Sequence, residues 1–121
     1  MRGFVFSLFL FPLLSAQLFS HMAQHIAEPQ QIYIAAVITT PTESESITLK
    51  NNSGTAADIS GWTIGDKNNP TAYSIPANTI LQHTQTITFS HTTLGFQIND
   101  FAEILYLKNG AVVVDVWEDS L

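Results

Sequence analysis

From residue 31 onward the apolar residues come in short runs with a two-residue period, separated by clusters of turn formers. Ser46–Asn51 is the cleanest case. Ile47 and Leu49 point one way and Ser46, Thr48 and Lys50 the other, which predicts an antiparallel strand with one face in the core. Thr86–Ser90 repeats the pattern, with Ile87 and Phe89 on the core side. Ile32–Thr39 is β-branched and apolar and predicts a first strand, ended at Thr40-Pro41-Thr42 because proline has no N–H to give a ladder. Glu43 and Glu45 follow in the connection and are expected in solvent, the default for charged side chains. Tyr73–Ile75 and Thr79–Leu81 predict two short strands around Pro76 and an Ala77-Asn78 turn, and Gly95–Ile98 a short extended piece before Asn99-Asp100. Glu103–Leu107 and Ala111–Trp117 predict a hairpin, with Asn109-Gly110 as the preferred pair for a type I′ turn. No heptad and no long 3.6-residue period runs through the chain, which excludes helix-rich folds.

Seven or eight short strands, each about 8–12 residues from the next, predict an all-β sandwich. Its centre is expected at Asp58-Ile59-Ser60-Gly61-Trp62-Thr63-Ile64-Gly65-Asp66. Gly61 can take the positive φ of a sharp turn, and Trp62 and Ile64 then alternate with Thr63. Trp62 is expected to be largely buried between the sheets, against the Ile47–Leu49 and Ile87–Phe89 strands. In the last hairpin the alternation assigns no face, because Ile104 to Leu107 and Val112 to Val114 are apolar throughout. One set must meet the core and the other must be covered or exposed. The expectation is an exposed apolar patch built from Leu105, Leu107, Val113 or their alternates, with Trp117 as a further binding aromatic. The competing reading is that the sheets curl around these strands and Trp117 closes the edge of the core.

Length and charge narrow the picture. A chain of 121 residues holds one domain. Met1-Arg2-Gly3, the apolar run Phe4–Leu14 and the small residues Leu14-Ser15-Ala16 have the layout of a secretory signal peptide cut after Ala16. Eleven apolar residues are too few to span about 30 Å of hydrocarbon, so no membrane span is predicted, and the alternative is an uncleaved anchor. Residues 1–16 are read as the leader, 17–30 as a linker and 31–121 as the domain of a secreted, periplasmic or cell-surface protein. The formal net charge is −6, and loss of Arg2 with the leader leaves three lysines against ten acids, a balance of −7. Such a surface disfavours nucleic acid, whose phosphates need cations. Cysteine is absent, so the core must hold without disulfides.

Few residues carry candidate chemistry. There is no Gly-x-Ser-x-Gly, no His-Glu-x-x-His and no phosphate-binding glycine loop, and Ser90-His91 lacks the third group of a triad. His21 and His25 stand four apart without a third ligand, and His83 and His91 flank one predicted strand. Asp58, Asp66, Asp100 and Glu103 could gather at one end of a sandwich around calcium, although aspartates at turns usually cap their own backbone. Asn51-Asn52-Ser53 fits the N-glycosylation sequon. The reading is therefore a non-enzyme with no catalytic residue, no metal and no cofactor.

Residues 32–117 resemble the lamin tail domain, the immunoglobulin-like module of nuclear lamins that also occurs in secreted bacterial proteins. Ile47-Thr48-Leu49-Lys50-Asn51 is similar to its strand ending in Leu-x-Asn, and Asp58–Asp66 to its Leu-Ser-Gly-Trp segment, with Ile59 in place of Leu. Tyr73–Leu81 is similar to its aromatic-x-apolar-Pro-x-Gly-Thr segment, with Asn78 in place of Gly, and Gly95-Phe96, Asn99-Asp100 and Asn109-Gly110 through Asp115 complete the order. Gln82-His83 departs from the family's Pro-Gly, so that turn is expected to differ in shape. The resemblance implies an immunoglobulin-like sandwich and, with the leader, a secreted bacterial-type member. It implies an interaction module, read with the leader as serving protein assembly or surface attachment with a protein or cell-surface partner. Self-association is read from the apolar hairpin, whose patch can also meet a second copy. Gly61 and Trp62 are its structural signature. The alternatives are a nucleic-acid-binding module by analogy with lamin tails and a calcium-dependent carbohydrate or adhesion module.

Overall fold

A computed structural model describes residues 31–119. The readings made for residues 1–30, namely the signal peptide, the linker and the His21/His25 pair, lie outside them. Nine strands follow one another: β1 (Ile32–Ile38), β2 (Ser46–Asn51), β3 (Ala57–Asp58), β4 (Thr63–Asp66), β5 (Tyr73–Ser74), β6 (Ile80–Leu81), β7 (Thr86–Ser90), β8 (Ile104–Asn109) and β9 (Val112–Glu118). They form a three-stranded sheet in the order β1-β2-β7, a four-stranded sheet in the order β5-β4-β8-β9, and a small β3-β6 ladder, and every pairing is antiparallel.

The alternation read from the sequence sets the layers. Ile32 and Ile34, Ile47 and Leu49, and Phe89 project from the first sheet, and Ile64, Leu105 and Leu107 from the second, into one core completed by Ile59, Ile75, Leu81, Leu94 and Ile98. The Tyr73 and Phe89 rings, 5.3 Å apart at 56°, join the two sheets on the side of β5 and β7. On the opposite side the Ile34 N–H donates to Asp115 Oδ2 at 2.8 Å, joining the first strand to the last. The arrangement is an immunoglobulin-like β-sandwich.

Several expectations need correction. Trp62 is half-buried on the rim of the core, and the fully buried positions go to Ile59 and Ile64. The reason is local: Trp62 sits in the turn just ahead of β4, its N–H donating to the Ile59 carbonyl and its carbonyl accepting from Ile75 N–H. Glu45 is buried, not solvated. Its Oε1 accepts the Ile98 N–H at 3.0 Å and lies 3.4 Å from His91 Nδ1, so the carboxylate ties the 91–98 connection to the start of β2. That connection opens with one helical turn not read from the sequence, His91–Leu94, capped by the Ser90 hydroxyl and ended by Gly95 at φ 73°, ahead of the expected Gly95–Ile98 piece. The hairpin turn also differs in type. Asn109 pairs with Val112, so the two central residues are Gly110 and Ala111. Only Gly110 has positive φ, which matches a type II′ turn; type I′ would need positive φ at both.

Candidate interaction surface

The candidate surface is the outward face of the β8–β9 hairpin. On β8 one alternating set is sealed: Leu105 and Leu107 are 0% exposed. Their partners across the ladder are Trp117 and Asp115, so these two β9 residues also face inward, and Trp117 packs against the core. The expected patch residues Leu105, Leu107 and Trp117 are therefore core or core rim, and of the four expected residues only Val113 stands on the exposed face.

A β-bulge explains why the sequence pattern misassigns this strand. Leu107 pairs with Asp115, but Lys108 pairs with Val113, leaving Val114 as the extra residue. The insertion lets Val114 pack against the core beside the inward Asp115 and reverses the parity of what precedes it. Val113 is then 49% exposed opposite Lys108, and Val116 42% exposed opposite Tyr106. With half-buried Ile104 and Tyr106 on the same face, these valines form an apolar strip bounded by Lys108 and Glu118. Val116 and Tyr106, which pair across the ladder, belong to the alternate set that the sequence left open.

The face has a closed flank. Gly65 on β4 pairs with Tyr106, and the loop after β4 folds across it. A side chain at Gly65 would collide with the Asn69 carbonyl and with Pro70, whose carbonyl oxygen would lie 2.7 Å from the added carbon. Asp66 holds that loop by accepting the Asn68 and Asn69 N–H groups at 2.9 and 2.8 Å.

The other candidate groups are engaged in structure. Asp58 accepts the Ser60 N–H at 3.0 Å, and its hydrogen bonds from the Ser60 side chain and backbone hold its carboxyl below the usual carboxylate range. Burial pushes the Tyr73 phenol up. Buried Glu103 accepts the Asn99 N–H and the Ile104 N–H on its two oxygens. The proposed calcium ligands are thus not brought together, and among the described residues no three His, Cys, Asp or Glu side chains group as a metal site. His83 is exposed and accepts the Gly54 N–H on Nδ1. The sequon reading meets a steric obstacle: Asn51 is 0% exposed, and its Nδ2 donates to both the Thr55 and Leu81 carbonyls.

Two comparisons bear on these features. The family model described as Lamin Tail Domain matches residues 25–119. No curated protein matches the chain.

Proposed function

We propose, from the premise that the chain belongs to the lamin tail domain family, that it is an exported, non-enzymatic binding module of the secreted bacterial type. Its outward β8–β9 face meets a protein or cell-surface partner in assembly or attachment. The observation that carries this reading is the strip of Val113 and Val116 beside Ile104 and Tyr106, apolar surface that the fold leaves uncovered among the described residues. Contiguous exposed apolar surface marks interaction sites on small domains. The family is an immunoglobulin-like, non-catalytic one, in keeping with a chain whose acids cap turns and clamp loops. Charge supports a protein partner over a nucleic acid: Lys50 lies on the outer side of β2, Lys67 in the loop after β4 and Lys108 at the end of the strip, so the three lysines build no common patch.

The test is a comparison of exported proteins cross-linked to the native chain and to the V113E/V116E double variant. The reading expects an unchanged melting curve with loss of a defined cross-linked partner. An unchanged partner set, or enzyme-like hydrolysis of ester, glycosidic or phosphodiester substrates by the purified chain, would refute it. Export is tested separately, by N-terminal sequencing of the protein recovered outside the cytoplasm.

A further inference from the structure

The two larger sheets end in four strand edges, and three of them are blunted. β1 carries a bulge between Ile34 and Ala36, and its Ile34 N–H is taken by Asp115. β9 carries the Val114 bulge and Asp115 itself. β5 is two residues long. Bulges, charges and shortness are the usual devices that keep sheet edges from pairing with other chains. β7 differs from all three. Its pairing with β2 runs unbroken from Ser46↔Ser90 to Lys50↔Thr86, and Thr86-Ile87-Thr88-Phe89-Ser90 contains neither proline nor charge. Among the described residues no strand pairs with its outer side.

The hydrogen-bonding phase of that edge follows from its neighbour. The Asn51 N–H donates to the Gln85 carbonyl, so Asn51 faces β7. Antiparallel ladders alternate bonded and non-bonded pairs. Leu49↔Ile87 and Ile47↔Phe89 are therefore the bonded pairs, and the backbone groups of Thr86 and Thr88, with the N–H of Ser90, whose carbonyl caps the following helical turn, point away from β2. They form a row of donors and acceptors of about 17 Å in a five-residue strand.

The same strand is complementary to itself. Turned antiparallel about a two-fold axis through Thr88, Thr88 faces Thr88, Thr86 faces Ser90, and Ile87 faces Phe89. Hydroxyls meet hydroxyls on the outer side and apolar side chains meet on the inner side. The chain already uses this chemistry one strand inward, where Ser46 opposes Ser90 and the Thr48 and Thr88 hydroxyls lie 2.8 Å apart. No like charges are brought together, although the chain carries ten acids.

We infer that β7 is a self-association edge. Two copies pair β7 against β7, and their three-stranded sheets become one continuous sheet across the dimer. The second copy covers half-buried Ile87 with its own Phe89. This site is distinct from the β8–β9 face and stands whether or not that face binds a partner.

The experiment is sedimentation of the purified chain up to about 1 mM, with T88K, T88E and their equimolar mixture. Thr88 is exposed, so melting curves close to that of the native chain are expected for both variants. The inference expects a dimer of the native chain, at least a tenfold weaker dimer for each variant alone, and recovery in the mixture, where opposite charges meet on the axis. V113E leaves this dimer intact. A native chain that stays monomeric, a dimer that T88K and T88E do not weaken, or a mixture that does not recover would each overturn it. Independently of any variant, the Thr86, Thr88 and Ser90 amides should gain exchange protection with concentration. Protection that is the same in dilute and concentrated samples would also overturn it.

Discussion

At the scale of single residues, the backbone at Thr84 has a cost the sequence half announces. The Pro-Gly expected from the family is absent here, and Thr84 takes φ 69°, its N–H donating to the Asn51 carbonyl. A β-branched residue in the left-handed region is strained by about 1–3 kcal/mol. Thr84→Gly should therefore raise stability by roughly 1 kcal/mol after the entropy gained by the unfolded glycine is subtracted, measured by chemical denaturation. Asn51 works in the opposite sense. Its side chain also accepts the Ser53 N–H, so it fastens both the turn after β2 and the β6 carbonyl of Leu81. Asn51→Ala leaves buried groups without partners and should cost about 3 kcal/mol; expression in a glycosylating host should leave the folded chain's mass unchanged. Asp58 gives a pH prediction. A carboxyl held below its usual range contributes stability that is present above the unfolded-state pKa and lost as pH falls through the lower folded value. In an NMR titration, Ser60→Ala should return Asp58 toward an ordinary carboxylate midpoint.

At the scale of elements, β2 and β7 occupy the residues their alternation predicts, Ser46–Asn51 and Thr86–Ser90. Both are regular, one-sided strands, the case in which a period of two assigns faces unambiguously. The positive φ of Gly61 and of Asn78 was equally legible, since few residue types tolerate that region. The final hairpin was legible as two strands but not as faces. A bulge changes parity without changing composition, and in an all-valine run no polar residue records the slip. β3, two residues long, carries no period at all. Glu45 was misread because burial of its carboxylate depends on the Ile98 N–H, brought in from a segment 53 positions away. The corrected faces make a sharp test: Leu105→Glu should abolish folding, whereas Val113→Glu should change stability by less than about 0.5 kcal/mol, both read by thermal melting. Gly65→Ala should be destabilising by about 2 kcal/mol or more, because the loop backbone over β4 cannot withdraw from the added methyl.

At the scale of the whole molecule, the contact between Ile34 and Asp115 spans 81 positions of sequence and unites the first strand with the last. Such long-range closure makes folding slow relative to the growth of local structure, since the intervening loop must be closed before the contact returns any energy. It also sets an order of events during synthesis. A nascent chain that has delivered β1, β2 and β7 to the outside of a ribosome still lacks β8, β9 and the acceptor for Ile34. The domain therefore commits late, and chains ending before Asp115 should remain protease-sensitive while the complete chain resists. For a protein threaded through a narrow channel, such lateness is an asset, because a polypeptide that cannot close until its final strand is made stays slack enough to be pulled through.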